Sequence, residues 1–159
     1  MIGRSKPAKF ILAAFGVAIV LYLAWIYFSD RFLPQTGYDV AIVERTIELL
    51  DDAGNWNRND DRTCGPDKTG LSLYCALQRA SIEVAGEFQH RAASLQQIRF
   101  AIERQHPQAD YEHRLMDYNN DPQTSFEELH EMLRDALTRL RQSESAADQA
   151  DSRASANSR

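Results

Sequence analysis

Apolar residues recur at intervals of three and four along most of the chain after residue 38, which is the spacing of one face of a helix. The pattern predicts helices over 39–53, 71–86, 95–106 and 112–116, and a last helix that begins near Phe126. Clear period-two alternation, which would indicate half-buried strands, accompanies none of these stretches. The sequence therefore predicts an all-α domain, a small bundle of about four helices over residues 31–141.

Polar residues predict where the helices begin and end. Ser94 and Gln97 stand at the positions of a capping box, in which the serine oxygen accepts from a backbone amide and the glutamine reaches back. The same pattern precedes the last helix twice, as Thr124 with Glu127 and as Ser125 with Glu128. Pro107 predicts the end of the third helix, because proline has no amide proton for a helical hydrogen bond.

A different pattern lies near the N-terminus, where residues 10–28 read FILAAFGVAIVLYLAWIYF, 19 residues without a charge. At about 1.5 Å per residue the run reaches roughly 28 Å, close to the ~30 Å hydrocarbon core of a bilayer. Tyr22, Trp25 and Tyr27 gather at its end, where aromatic rings favour the headgroup boundary. A secretory signal peptide has a shorter apolar region, about 7 to 15 residues, followed by paired small residues. The run is therefore predicted to be an uncleaved, single-pass transmembrane helix.

The charges beside this run predict its orientation, because lysine and arginine are retained on the cytoplasmic side. Three basic residues lie in the first nine positions, and Arg31 alone lies in the ten residues after the run. The prediction is a cytoplasmic basic segment over 1–9 and an extracytoplasmic domain over 31–141, in the periplasm of a Gram-negative host. The lipid bilayer is then an expected partner through residues 10–28.

Composition after the run adds two expectations. Removing the 3 leading basic residues from the 18 in the chain leaves 15 against 23 acidic residues, a formal charge of −8. Nucleic-acid binding begins with a basic face that neutralises phosphates, so no nucleic-acid partner is expected. Residues 142–159 hold no aliphatic side chain larger than alanine, so they are predicted to form a disordered tail.

Two cysteines in an exported domain are candidates for a disulfide. Cys64 lies in a polar loop and Cys75 in the second predicted helix. A bridge between them would stabilise the fold by roughly 2 to 3 kcal/mol, because it reduces the conformational entropy of the unfolded chain. The other interpretation, a buried free Cys75 with an unrelated Cys64, stays open because spacing alone does not fix the geometry.

The usual signatures of catalysis and of metal or cofactor binding are missing from the sequence. The four histidines form no pair at i, i+3 or i+4, and no HExxH, CxxC, G-x-S-x-G or glycine-rich phosphate loop occurs. The chain is therefore predicted to be no enzyme and to need no cofactor. A tethered envelope hydrolase remains as a second hypothesis, and it requires convergence of His113, Asp117, Asp121 and His130.

One loop resembles the calcium loop of an EF-hand. Oxygen-bearing side chains occupy positions 1, 3, 5, 9 and 12 of that pattern: Asp117, Asn119, Asp121, Ser125 and Glu128. Position 6 requires a glycine for a sharp turn, and here it is Pro122, whose φ is fixed near −65°. A polar loop that leads into a capped helix is the favoured interpretation, and a metal site is not.

The chain also resembles an uncharacterised family of small helical domains from bacterial and phage proteins. The motifs that carry the resemblance are a tryptophan after a helix, a Cys-Ala-Leu segment and a Trp/Tyr-Asn-Asp-like loop, here Trp56, Cys75-Ala76-Leu77 and Tyr118-Asn119-Asn120-Asp121. The similarity spans about residues 40–140, and it departs from the family at Gln78-Arg79, where members tend to have Gly-Ala. It implies a compact helical domain and supplies no activity.

The function expected from these patterns is a protein-interaction or scaffold module at the cell envelope. Phe126, Leu129 and Leu133 form an apolar stripe on the last helix, and their spacing with Ala136 and Leu140 favours a core face. The same three residues are the predicted contacts for an envelope protein partner. A degenerate EF-hand and the hydrolase are the competing hypotheses.

Overall fold

The computed structural model describes residues 19, 21–22, 35–65 and 70–157. Between residues 35 and 157 the described chain forms five α-helices: α1 Asp39–Leu49, α2 Leu73–Ala85, α3 Ala93–Gln105, α4 Arg114–Asn120 and α5 Phe126–Asn157. A single 3₁₀ turn, Ala53–Asn55, follows α1, and one isolated bridge joins Trp56 to Leu71 without forming a strand. The predicted all-α class is confirmed for this part of the chain.

The chain divides into two compact units, residues 1–34 and residues 35–159. In the first unit the structure describes Ile19, Leu21 and Tyr22, which are helical and have exposed side chains. The second unit contains α1 to α5 and all of the chemistry discussed below.

The predicted membrane topology is corrected by the structure. No helix among the described residues is both long enough and apolar enough to cross a bilayer, which contradicts the single-pass localisation with a cytoplasmic N-terminus and an extracytoplasmic domain. The run 10–28 from which that prediction came lies outside the described residues except at positions 19, 21 and 22.

The core of the second unit forms where the apolar faces of the helices meet. α1 packs on α2, α3 and α5, α3 packs along α5, and α4 contacts both α2 and α3. Each helix contributes residues of the three-and-four spacing that the sequence shows, because only one stripe of each helix turns inward. The largest fully buried side chains come from every helix and from the turn after α1: Tyr118, Leu50, Leu73, Leu77, Leu95, Ile98, Ile102, Leu129, Met132, Leu133, Leu140 and Val43.

The start of α5 follows one of the two predicted capping boxes. The Ser125 amide donates to Glu128 Oε2 at 2.7 Å, and the Glu128 amide donates to Ser125 Oγ at 3.2 Å. These reciprocal bonds satisfy two amides that the first turn of a helix leaves without partners. Thr124 is buried just before this pair, so the Thr124–Glu127 version is not used.

The start of α3 differs from its prediction. The helix begins at Ala93, and the Ser94 amide donates to Asp39 Oδ1 at 2.7 Å instead of taking part in a Ser94–Gln97 box. Asp39 is the first residue of α1, and its Oδ2 also accepts from the Thr36 amide at 2.7 Å. One buried carboxylate therefore serves the N-termini of two helices, which favour negative charge.

The predicted disordered tail is helical. α5 continues to Asn157, and residues 141–156 are exposed except for the half-buried Glu144. The cost of helix nucleation is already met by the packed first half of α5, so residues beyond Leu140 extend an existing helix and need not start one. The Ser145 and Ser152 hydroxyls donate to the carbonyls of Arg141 and Asp148, four residues back along this exposed part.

Candidate functional site

Asn119 organises the polar loop that follows α1. Its side chain lies fully buried at the end of α4, and Oδ1 accepts from Trp56 Nε1 at 2.8 Å and from the Leu73 amide at 2.9 Å. Its Nδ2 donates to the Asn57 carbonyl at 2.9 Å. A single amide side chain therefore joins the start of α2 to residues 51–65, here called the Trp56 loop.

The residues next to Asn119 hold the same loop farther along. Asn120 bonds the Asp60 backbone twice, accepting from its amide at 2.7 Å and donating to its carbonyl at 2.9 Å. Arg58 donates to the carbonyl oxygens of Asp121 and Thr124, and its guanidinium carbon lies 5.0 Å from the centre of the Trp56 ring. The end of α4 thus fixes the Trp56 loop through consecutive residues.

A disulfide joins Cys64 at the end of this loop to Cys75 in α2, with Cα atoms 5.3 Å apart. This is the bridge that the sequence left open. Two residues before Cys64 lies Arg62, and immediately before Cys75 lies Tyr74, so the bond links two segments that line the same cleft.

Reducing this disulfide is expected to lower the free energy of unfolding by about 3 kcal/mol, because it restores the loop-closure entropy of the unfolded chain. Urea denaturation of the full-length protein with and without a dithiol reductant measures the difference. The double variant Cys64→Ala/Cys75→Ala is the control, since its unfolding midpoint should not respond to the reductant. An unchanged midpoint in the reduced wild-type protein would show that the bond contributes nothing.

The cleft beside the disulfide has a volume of about 320 Å³ and is the candidate functional site. Its walls come from the Trp56 loop, α2, the segment between α2 and α3, α3, and the residues around the start of α4. We call it the cationic cleft, and its lining residues are Arg62, Tyr74, His90, Arg99, Tyr111, Glu112, His113, Arg114, Leu115 and Met116.

The cationic cleft concentrates positive charge in a chain whose formal net charge is −5. Three arginines and one glutamate line it, a formal charge of +2 with its two histidines neutral. Like charges that line one cleft repel each other, so this arrangement favours the binding of an anion.

Arg99, a half-buried residue in the middle of α3, lines the cleft. Burial lowers the pKa of its guanidinium, and the nearby positive charge of Arg114 lowers the pKa further. The Arg99 Nη1 donates to the His90 carbonyl at 2.9 Å, which orients the group without neutralising it. Among the described residues, no carboxylate forms an ion pair with Arg99.

The other two arginines are held more loosely. Arg114 Nη1 lies 3.6 Å from Glu103 Oε2, and both side chains are more than a third exposed, so this pair is weak. Arg62 has a φ of 59°, and its amide donates to Asp60 Oδ1 at 2.7 Å. The left-handed backbone is unusual for a residue with a Cβ atom, and the Asp60 bond supports it.

Aromatic rings form one wall of the cleft. Tyr74 and His90 lie nearly parallel at 25° with centroids 6.2 Å apart, and Phe88 packs edge-on against both rings. Tyr111, which also lines the cleft, donates to Asp121 Oδ2 at 2.7 Å. Burial, followed by this hydrogen bond, raises the pKa of Tyr111 to about 12, so its hydroxyl stays protonated at neutral pH.

Comparison with known families identifies the domain that carries this cleft. Residues 36–139 match the model of a family of unknown function, DUF6197. The chain belongs to this family. No curated protein and no solved structure matched the chain.

In this DUF6197 member the motifs that carried the family resemblance meet in space. Trp56 and Asn119 are directly bonded, and Leu73, which begins α2 two residues before Cys75, bonds the same Asn119 oxygen. The Tyr118 ring is fully buried beside them in α4. These residues build the fold, and they also position Arg62 and Tyr74 at the cleft.

The residues that resembled a calcium loop do not form one. Asp117 and Asn119 lie within α4, so the first half of the pattern is helix and not an open loop. Each candidate side chain has a structural partner. Asp117 accepts from the His113 amide, Asn119 from Trp56 and Leu73, and Asp121 from Tyr111 and Gln123, while Ser125 and Glu128 cap α5. Among the described residues, no group of three or more His, Cys, Asp or Glu side chains could hold a metal ion.

The four residues required by the hydrolase hypothesis have separate partners. His113 lines the cationic cleft, and its backbone amide donates a hydrogen bond to Asp117 Oδ2. Asp121 accepts a hydrogen bond from the Tyr111 hydroxyl. The His130 ring bonds the Leu50 carbonyl at 2.7 Å and packs on Phe126. His130 thus lies against the end of α1 and is absent from the cleft lining.

The predicted partner-binding stripe is part of the core. Leu129 and Leu133 have no exposed surface, and Phe126 is half-buried against Trp56 with ring centroids 6.0 Å apart. Their three-and-four spacing arises because α5 packs on α1 and α3, so these side chains are occupied within the domain. The core face that the spacing favours is confirmed for Leu129 and Leu133, which have no exposed surface for the predicted partner contact.

The arginines of the cleft were missed by sequence reasoning. Arg62, Arg99 and Arg114 are separated by 36 and 14 intervening residues and share no motif. The single local signal is Arg99, a charge that falls next to the buried Ile98 of α3. Which arginines meet depends on the packing of α3, α4 and the Trp56 loop.

Proposed function

We propose that the domain is a binding module and not an enzyme, and that its cationic cleft recognises an anionic group carried by a partner molecule. The observation that supports this most strongly is the half-buried guanidinium of Arg99, which lies near Arg114 and forms no ion pair among the described residues. Withdrawing a charge from water costs free energy unless an opposite charge replaces the water. An anion bound in the cleft supplies that charge.

The chemistry of the lining suits recognition of oxyanions. Guanidinium groups present planar N–H donors that match carboxylate and phosphate oxygens two at a time. Arg99 is held in place by the His90 carbonyl, so less side-chain freedom is lost when a ligand binds. The volume of about 320 Å³ is at the small end of ligand pockets, which extend from about 300 to 1,000 Å³.

Binding without catalysis is supported by the residues that line the cleft. The described lining contains no serine, threonine or cysteine to act as a nucleophile. Tyr111 is a poor substitute, because its raised pKa keeps the hydroxyl protonated at neutral pH. The cysteines next to the cleft are joined to each other.

The proposal predicts that small anions raise the melting temperature of the full-length protein and that Arg99→Gln abolishes the effect. Phosphate, sulfate and citrate, each compared with chloride at equal ionic strength, are the probes. A ligand at ten times its Kd adds about 1.4 kcal/mol to the free energy of unfolding. Arg139→Gln is the matched control: Arg139 lies on the exposed side of α5 and pairs with Asp135.

The two variants separate specific binding from general salt effects. The melting temperatures of the wild-type protein and of Arg139→Gln should rise alike with the anions. The melting temperature of Arg99→Gln should show only the small general effect of salt. Equal responses in all three proteins, or no response in any, would contradict the proposal.

The non-enzymatic part of the proposal has its own test. The full-length protein incubated with p-nitrophenyl phosphate should release no nitrophenol above the buffer rate. Release that disappears in Arg99→Gln but persists in Arg139→Gln would assign hydrolysis to the cleft and end the binding-only account.

A further inference from the structure

The three arginines of the cationic cleft converge from different elements of the fold. Arg62 belongs to the Trp56 loop, Arg99 to the middle of α3, and Arg114 to the first position of α4. The disulfide and the Asn119 and Asn120 bonds hold the first of these elements in place. Three elements therefore bring positive charge to the lining of one small cleft, with Arg99 and Arg114 half-buried and Arg62 exposed.

We propose that the ligand of the cationic cleft is a phosphate monoester in its dianionic form, an inference that rests on the proposed anion-binding function. The charge count supports a dianion. The lining has a formal charge of +2 with neutral histidines, and the exposed Glu103 that pairs weakly with Arg114 lies outside it. A monocarboxylate or a sulfate monoester would therefore leave one positive charge of the lining uncompensated. A phosphate monoester carries a charge between about −1.5 and −2 at pH 7 and offers three acceptor oxygens.

The shape of the lining supports an ester over free phosphate. Leu115 is buried at the cleft, and Met116 and the Tyr74 ring give further apolar surface beside the arginines. Apolar walls next to a charged centre suit a ligand with an organic group attached to its phosphate. The weak pair of Arg114 with Glu103 leaves most guanidinium N–H donors of Arg114 available to oxygen acceptors.

The lining also argues against two other ligand classes. A divalent cation is disfavoured, because the cleft holds one carboxylate against three guanidinium groups. A long single strand of nucleic acid is disfavoured as well, because it needs a basic groove that follows several phosphates, and the chain as a whole has a formal charge of −5.

The test uses isothermal titration of the full-length protein at pH 7.5 with phenyl phosphate and phenyl sulfate. The two probes share shape and ring, but the phosphate is a dianion and the sulfate a monoanion. We expect phenyl phosphate to bind at least tenfold more tightly. Arg99→Gln and Arg114→Gln should each reduce that preference at least threefold, whereas Arg139→Gln should keep it.

The outcomes separate this inference from the function on which it rests. Equal binding of the two probes, lost in Arg99→Gln, would overturn the phosphate assignment and leave anion binding intact. Malonate is a dicarboxylate dianion. If it bound as tightly as phenyl phosphate, the phosphate assignment would be overturned in favour of a dicarboxylate. Absence of binding for all three probes would overturn both proposals.

A last pair of probes identifies the source of the phosphate monoester. A short phosphotyrosine peptide that binds more tightly than phenyl phosphate would support a phosphorylated protein as the ligand. Weaker binding of the peptide would support a small phosphorylated metabolite, since the chain on either side of the phosphotyrosine would then obstruct the entrance.

Discussion

Replacing Asn119 with leucine is expected to lower the free energy of unfolding by about 3 to 9 kcal/mol. The substitution keeps much of the side-chain volume but leaves the Trp56 Nε1–H, the Leu73 amide and the Asn57 carbonyl without their partner. Each buried polar group that loses its hydrogen bond costs about 1 to 3 kcal/mol. A domain of this size is stable by about 5 to 15 kcal/mol, so the loss is a large share of the total.

Urea denaturation of the full-length protein, followed by Trp fluorescence, measures this loss. Asn119→Asp is the informative companion variant, because it keeps the acceptor for Trp56 and Leu73 and removes the donor to Asn57. Asn120→Ala is the neighbouring control: its side chain is more exposed, so the loss should be about 1 kcal/mol. Equal losses for Asn119→Leu and Asn120→Ala would contradict the role assigned to Asn119.

Leu133→Ala is expected to cost about 2 to 5 kcal/mol, the usual range for a buried leucine that leaves a cavity. Leu133 has no exposed surface and lies on the face of α5 that packs against α1 and α3. The functional hypothesis drawn from the sequence made this residue a contact for a partner as well, and in that role its removal would weaken binding and leave the stability unchanged. Thermal and urea unfolding distinguish the two roles.

The control for this prediction is Ile82→Ala, at an aliphatic side chain that is 51% exposed on α2. Its removal should change the stability by less than about 0.5 kcal/mol, as at most surface positions. If Leu133→Ala were as mild as Ile82→Ala, the assignment of Leu133 to the core would be wrong.

The helices were predictable because their determinants are local. The three-and-four spacing predicts most ends of α1 to α5 to within a few residues. Ser125 and Glu128 cap α5 as the sequence pattern indicates. Gly86, in the left-handed conformation at φ 79°, ends α2 where the sequence predicts. Some C-terminal ends differ from the prediction: α1 ends earlier, at Leu49, and α4 ends later, at Asn120. α5 runs well past its predicted end, to Asn157.

Contacts between distant residues account for most of the errors. The α3 amide at Ser94 is capped by Asp39, 55 residues earlier, and no local pattern identifies such a partner. The tail prediction failed for a related reason: composition describes how residues 142–157 behave alone, whereas here they continue a helix anchored in the core. The Gln35 side chain donates to the Leu140 carbonyl at 3.1 Å, close to where the exposed part begins.

The candidate site was visible in the sequence only in pieces. The Tyr118-Asn119-Asn120-Asp121 motif is rich in side-chain oxygens. In the structure its amide and carboxylate oxygens accept hydrogen bonds from other residues of the domain. The arginines gave no comparable signal, because their function depends on where α3, α4 and the Trp56 loop meet.

The measurement that tests the anion-binding cleft most directly is a two-dimensional ¹H–¹⁵N NMR titration of the arginine side-chain Nε–H groups with phenyl phosphate at pH 7.5. Saturable shifts with one common Kd are expected for Arg62, Arg99 and Arg114, and unshifted signals are expected for the α5 control Arg139. Shifts that grow in proportion to concentration in all arginines alike, or signals of Arg99 and Arg114 that do not move, would contradict it.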